Sequence, residues 1–392
     1  MLLSVNRSPE SPAPKHRRKG RQIWLALHLY LGLSAGLVFV LAGLTGSLLV
    51  FYVELDEWLN PSLQITDMTT QQPVQSYETI LQALKSAHPD RTGAWRLEMP
   101  RHAQATLMAR YYKPAETEHL HFAPLIAWVN PYTAEVLSNR FWGQYLMTWL
   151  YDLHYTLLLD MTGKTIMGCI GGVILVSLIS GIYLWWPAPG KLKNALVFKH
   201  NASAERFNYD LHKMSGVYSL ILLLLLVISG ILLELPDFFN PGINRLSSLY
   251  VAKANQSMYQ TDGKRIPVDQ AANIAQQQFP TARLRWIETP KDAGSSYRIM
   301  LYQAGEPSQR FPKTTLWIDQ YSGKVLDIRN PVNNSAGDTF LNWLHPLHSG
   351  EIAGMAGRWL VLVSGFVPLM LFITGVIRWL QKRRAKRLAI RL

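Results

Sequence analysis

The chain has 392 residues, 48% of them hydrophobic and only 17% charged, with 39 Lys+Arg against 26 Asp+Glu for a net charge of +13. A soluble protein carries about a quarter charged residues, and a disordered chain is never this apolar. The single cysteine, Cys169, excludes a disulfide framework and a thiolate metal cluster, which leaves an integral membrane protein with substantial polar portions.

Taken in order, a basic segment, residues 1–22, with Lys15, Arg17, Arg18, Lys19 and Arg21, precedes a first apolar run over 23–53. A cleavable leader has an apolar stretch of about 7–15 residues, so this longer run reads as a retained span. Residues 54–146 form a long connection of mixed charge. Within it the periodicity predicts an amphipathic helix over Tyr77–Ala87 and a strand, polar turn and strand over 128–137. Residues 147–187 read as a surface segment followed by a second span, apolar over 163–186. The loop 188–211 carries Lys191, Lys193, Lys199 and Arg206. A third span follows over 212–235. A second long connection, 236–339, has a predicted helix over 268–279 and a strand–turn–strand over 317–326. Residues 340–380 repeat the surface segment and span, apolar over 359–380. The tail 381–392 contains Lys382, Arg383, Arg384, Lys386, Arg387 and Arg391.

Each span is long enough for a hydrocarbon core that takes about 20 helical residues. The three basic groups fall on one side, which the positive-inside rule assigns to the cytoplasm. Both termini are then cytoplasmic and both long connections periplasmic, in a bacterial inner membrane. The basic residues address that face and membrane lipid, not nucleic acid.

An internal duplication runs through the chain. The segment Trp149-Leu150-Tyr151-Asp152-Leu153-His154 matches Trp343-Leu344-His345-Pro346-Leu347-His348. The same spacing relates Met161, Gly163 and Lys164 to Met355, Gly357 and Arg358, and Ser180-Gly181 to Thr374-Gly375. A second spacing relates His28, Gly32 and Gly46 to His212, Gly216 and Gly230. Both copies start and end on one side, so they are parallel repeats about an axis along the membrane normal.

Four of the eleven histidines obey the repeat. His28 and His212 lie near the cytoplasmic ends of the odd spans, His154 and His348 just outside the periplasmic ends of the even ones. An ionisable side chain at membrane depth is costly and usually functional. The two-fold axis sets His28 opposite His212 and His154 opposite His348, the geometry of bis-histidine haem b. No Cys-x-x-Cys-His tethers a haem covalently, and two histidines per tier fall short of a zinc site. Two tiers imply two haems, with irons roughly 20 Å apart across a core of about 30 Å. His345, one turn from His348, is an alternative outer ligand, and position 345 corresponds to Tyr151.

Lys164 and Arg358, each after a glycine at the outer surface, are candidate partners for haem propionates; interfacial snorkelling is the alternative. Met161 and Met355 read as packing residues. Gly32, Gly43, Gly46, Gly181, Gly216, Gly230 and Gly375 read as positions of close helix or porphyrin approach. His16, His88, His102, His119, His121 and His200 have no repeat partner and read as surface residues.

On the histidine-bearing spans, and on Val129-Asn-Pro-Tyr-Thr-Ala-Glu-Val-Leu137 with Ile318-Asp-Gln-Tyr-Ser-Gly-Lys-Val-Leu326, the chain resembles the PepSY-associated transmembrane family. The resemblance extends from about residue 21 to 384. It implies a membrane α-helical fold of four main transmembrane helices from an internal duplication, with two periplasmic PepSY-like α/β domains. It also implies an oxidoreductase like the dihaem ferric-siderophore reductases of the FoxB type. Ala134 departs from Gly323 in the matching turn.

The chain has no Gly-rich dinucleotide fingerprint or phosphate loop, so electrons are expected from a cytoplasmic donor or quinol, entering at His28/His212 and leaving at His154/His348. Trp142, Tyr145, Trp149 and Trp343 are candidates to line the acceptor site or to form an interfacial aromatic belt. A ferric siderophore in the periplasm is the expected partner. The alternatives are a quinol-linked haem reductase for another periplasmic acceptor, and a non-catalytic PepSY binding or regulatory membrane protein.

Overall fold

A computed structural model describes residues 15–65, 73–199, 203–253, 255–258 and 263–391. The side chain of His16 and the whole of His200 lie outside what is described. The first half contains α1 (Lys15–Ser34), α2 (Gly36–Leu49), α3 (Tyr52–Leu59), α4 (Tyr77–Ala87), β1 (Trp95–Glu98), β2 (Leu107–Tyr111), β3 (Leu125–Val129), β4 (Val136–Phe141), α5 (Leu146–Thr156) and α6 (Asp160–Trp185). A short α7 (Leu192–Ala195) leads to the second half. That half contains α8 (Ala204–Glu234), α9 (Pro236–Leu246), α10 (Val268–Gln278), β5 (Arg283–Glu288), β6 (Tyr297–Tyr302), β7 (Thr314–Ile318), β8 (Val325–Arg329), α11 (Ala336–His348), α12 (Gly354–Ser364) and α13 (Val367–Arg391).

Among the described residues, three helical stretches are long and apolar enough to cross a membrane: Asp160–Trp185, Ala204–Glu234 and Glu351–Ile390. A fourth span results if α1 and α2 are taken as one path bent by 53°. The sequence reads residues 23–53 as one run, and local chemistry breaks it. Ser34 Oγ donates to the Tyr30 carbonyl at 2.8 Å, a back-bond that bends helices. Beyond the break, Gly36 leaves the space that Phe372 of α13 fills; a Cβ there would lie 2.7 Å from its ring. The spans close a ring in which α6 packs on α8, α8 on α13, α13 on α1 and α2, and α1 on α6. The basic residues of the C-terminal tail continue α13 as helix to Arg391.

The predicted helices and strand–turn–strand units form where expected, as α4, α10, β3–β4 and β7–β8. They do not sit in two separate bodies. One antiparallel sheet runs β4-β3-β2-β1-β5-β6-β7-β8, its order palindromic about the β1–β5 junction. Each four-stranded half on its own would expose β1 or β5 as a bare edge with unpaired peptide groups. Pairing the two, Leu97 opposite Ile287, removes both edges. The N–H of Trp95 donates to Thr289 Oγ1 and that of Thr289 to the Trp95 carbonyl, both at 2.9 Å.

Strand alternation gives the sheet two different faces. Leu97, Leu107, Ala127, Ile287, Ile299 and Leu316 point to the side covered by α4 and α10, where they form the main core with Ile80, Leu84, Ala271 and Ala275. The two helices cap one another. Asp269 accepts the Tyr77 and Glu78 N–H groups, both at 2.9 Å, and Glu78 accepts the Val268 N–H at 3.1 Å. These bonds satisfy first-turn donors that have no intrahelical partner. In the matching turns Ala134 and Gly323 both have left-handed backbones, φ 60° and 72°, so the alanine keeps the turn at a cost of about 1–2 kcal/mol.

Candidate functional site

Four histidines converge in two pairs, each drawn from both halves of the chain. His28 of α1 faces His212 of α8 with ring centroids 6.2 Å apart and planes at 82°. His154 of α5 faces His348 of α11, also at 6.2 Å, with planes at 54°.

Every ring is held the same way by a hydroxyl-glycine pair on a neighbouring helix. His28 Nδ1 lies 3.0 Å from Ser180 Oγ and from the Ser177 carbonyl. His212 Nδ1 is 2.8 Å from Thr374 Oγ1. His154 Nδ1 is 3.0 Å from Thr45 Oγ1, and His348 Nδ1 is 3.0 Å from both Ser229 Oγ and the Leu226 carbonyl. Each hydroxyl already spends its proton on its own helix: Thr45 on Leu41, Ser180 on Ser177, Ser229 on Leu225 and Thr374 on Met370, at 2.6–2.7 Å. The oxygen must therefore accept, and a carbonyl can only accept. The Nδ1 atoms carry the protons, which leaves each Nε2 lone pair free as a ligand.

The glycine after each hydroxyl completes the cradle. An added Cβ would lie 2.9 Å from the His154 ring at Gly46, 3.1 Å from His28 at Gly181, 3.2 Å from His348 at Gly230 and 3.5 Å from His212 at Gly375. Gly43 serves helix approach instead, its absent Cβ 2.5 Å from the Gly365 carbonyl. Gly32 differs from the expectation of close helix approach, because nothing lies within 4 Å of it. Gly216 meets only Leu371, at 3.5 Å. They lie one turn along from His28 and His212 and leave room beside them.

This geometry fits the axial positions of an iron porphyrin. With about 2 Å from metal to imidazole nitrogen and ~1.1 Å from nitrogen to ring centre, two ligands on one ion have centroids about 6 Å apart. Among the described residues no group of three or more His, Cys, Asp or Glu forms a metal-ion site, so four equatorial donors would have to come with the ion. The His154–His348 pair opens into a cavity of about 1270 Å³ reaching the underside of the sheet. Its deep end is apolar, with Phe39, Ala42, Met167, Ile174, Val227 and Pro368, and its mouth is charged.

Residues 25–382 match the family described as the PepSY-associated TM region. The chain belongs to that family. No match was found among the curated proteins. As a PepSY-associated membrane protein it places the remaining candidates as follows. Lys164 and Arg358 both line the cavity. Arg358 pairs with Glu54 at 2.7 Å and donates to the Val50 carbonyl at 2.8 Å, while Lys164 lies beside Glu234. His345 lines the same cavity but does not face His154; its ring is edge-on to Phe311 at 4.6 Å and its Nδ1 is buried without a hydrogen-bond partner. Burial, then the nearby Arg310 charge, lowers its pKa to about 3, so it is neutral.

Of the aromatic candidates, Trp142 and Trp343 line the cavity and Tyr145 and Trp149 do not. Trp142 and Tyr145 are buried under the sheet with Trp128. Met161 and Met355 are exposed, and Met355 lines the cavity with its sulfur 3.8 Å from the Arg358 guanidinium. His102, His119 and His121 are on the surface, whereas His88 is half-buried against Trp95. Sequence reading noted Ser180 and Thr374 only as repeat partners and missed Thr45 and Ser229. Thr45 and Ser229 repeat at the spacing of His28 and His212, and that recurrence was the available signal.

Proposed function

We propose that the chain is a dihaem b-type cytochrome of the bacterial inner membrane, with both termini cytoplasmic. It passes electrons from a cytoplasmic donor or the quinol pool to ferric siderophores in the periplasm and reduces Fe(III) to Fe(II). One observation carries the reading: two histidine pairs at equal spacing, with every Nδ1 committed to a hydroxyl, which frees every Nε2 lone pair to ligate. The repeated sequence and the palindromic sheet support a duplicated fold, with two PepSY-like halves, in which each half gives one ligand per tier.

Haem bound at each tier would supply one-electron transfer, at a potential set by its axial ligands and their hydrogen bonds. The chain's own residues do the rest. Hydroxyls fix the imidazole tautomer, apolar walls exclude water, and Lys164 and Arg358 offer cations to carboxylates at the outer rim. A siderophore holds Fe(III) through hard oxygen ligands and Fe(II) far more weakly, so a single electron loosens it. No nucleophile or general base is needed.

The test is haem-to-protein stoichiometry on the wild type and four His→Ala variants. Two haems are expected, with His28→Ala and His212→Ala losing one and His154→Ala and His348→Ala the other. A colourless wild type, or different losses within a pair, refutes the reading. Reoxidation of reduced protein by a ferric siderophore, with an Fe(II) chelator present, separates this function from a haem reductase serving another acceptor.

A further inference from the structure

The cavity mouth carries charges of both signs, and the two are not used alike. Six of the seven carboxylates facing it have a partner. Glu98 holds Arg110 Nε at 2.8 Å, Glu54 holds Arg358 at 2.7 Å and Glu57 meets His102 at 3.3 Å. Glu306 accepts the Gln303 N–H and the Thr314 hydroxyl at 3.0 and 2.7 Å, and Glu351 accepts the Ser308 hydroxyl and the Gln309 N–H at 2.8 and 2.7 Å. Asp56 takes the Asn60 amide at 3.2 Å; the exception is Glu234, which feels the Lys164 charge but whose Oε2 has no hydrogen-bond partner among the described residues.

Three of the cavity's arginines are different. Arg101, Arg285 and Arg310 line the cavity, and among the described residues none of the three forms an ion pair. Arg310 lies over the Tyr52 and Phe311 rings, at 4.8 and 5.3 Å. Arg285 Nε is buried and has no hydrogen-bond partner among the described residues. The three come from separate segments and are close enough to repel: after burial, Arg310 and then Arg285 are what lower the Arg101 pKa. Glu54 and Glu98 act on Arg101, and Glu98 and Glu351 on Arg285, only from beyond ion-pair range, so gathering these like charges in one cavity costs free energy that an arriving anion recovers. Guanidinium forks suit anionic oxygen ligands, two hydrogen bonds at a time.

We propose that Arg101, Arg285 and Arg310 bind the anionic ligand shell of the ferric acceptor, which is therefore a polyanionic catecholate or carboxylate chelate and not a neutral or cationic hydroxamate. This rests on the reductase reading above. The chelate is the oxidant: it gains one electron from the reduced protein, itself refilled by quinol or a cytoplasmic donor, and its iron goes from Fe(III) to Fe(II).

Gallium(III) chelates, which are inert to reduction here, measure binding apart from electron transfer. Titrated into the full-length protein in detergent, a trianionic gallium tris-catecholate is expected to bind at least about tenfold tighter than a neutral tris-hydroxamate, and the preference shrinks as salt rises. Arg101→Gln with Arg285→Gln should abolish the preference and leave hydroxamate binding unchanged. Equal binding of the two chelates by the wild type overturns the proposal, whatever the variant does. So does loss of bound haem or a shift of its midpoint potential in the double variant, because the arginines would then serve cofactor carboxylates. If the gallium preference holds and neither ferric chelate reoxidises the reduced protein, the anion site stands and the reductase reading fails.

Discussion

Adding one methyl group at each cradle glycine tests whether the rings are as tightly set as their distances say. At Gly46 an alanine Cβ would lie 2.9 Å from His154 Cε1, and ordinary contact begins at 3.4–4 Å. The ring must therefore retreat by 0.5–1.1 Å, from 2.9 Å out to 3.4–4 Å. It cannot turn aside freely, since its Nδ1 is bonded to Thr45, the residue beside Gly46. Retreat drives it toward His348, into the space that two metal–nitrogen bonds of about 2 Å require. Gly46→Ala should thus empty the outer tier or leave it with a weakened ligand, Gly181→Ala and Gly230→Ala should be milder, and Gly375→Ala, at 3.5 Å, should be nearly silent. Gly172→Ala is the control: nothing lies within 4 Å, and helix propensity alone should stabilise it by up to about 1 kcal/mol. The assay is haem content with the α band of the reduced protein. An unchanged outer haem in Gly46→Ala, or greater damage from Gly375→Ala, refutes the reasoning.

Thr45→Val removes the acceptor that orients His154 and should weaken outer-haem retention about 10–100-fold, with Thr45→Ser restoring it; equal retention in Thr45→Val would show that the hydroxyl does not matter. Glu98→Gln strands Arg110 in a half-buried site and should cost about 3–5 kcal/mol, read as a lower thermal midpoint in detergent; no change would mean that water or another group compensates the guanidinium. Burial raises the Asp56 carboxyl from 3.8 to about 6, so the folded protein holds that proton more tightly than the unfolded chain. Stability then falls as pH rises from about 4 to about 6, by about 3 kcal/mol at 1.36 kcal/mol per unit. Asp56→Asn should raise the midpoint at pH 8 and leave it unchanged near pH 4, and a parallel shift at both pH values would contradict the assignment.

Local pattern carries much of this fold. Helices α4 and α10 appear at the predicted residues because apolar side chains recur every three or four positions and bury against one sheet face. The paired histidines were readable because a duplicated residue leaves a fixed spacing. What escaped is what distant segments decide together. Nothing near residue 97 or 287 announces that β1 and β5 pair, since the pairing answers an edge problem each half has separately. The break between α1 and α2 turns on Ser34 and a glycine that admits Phe372, a residue of the last helix. Arg101, Arg285 and Arg310 share no period, and only the folded cavity gathers them.

The exchanged caps at the two sheet-covering helices have a consequence for how the chain is made. The start of α4 is finished by Asp269, and β1 finds its neighbour only in β5, both nearly two hundred residues downstream. During synthesis the first half therefore emerges with bare amide groups and an open strand, and stays so until the second half leaves the ribosome. Closing that distance pays a large loop entropy before any native contact repays it. Assembly of the sheet should be late and concerted, and the interval before it is when a chaperone or a protease has its best access.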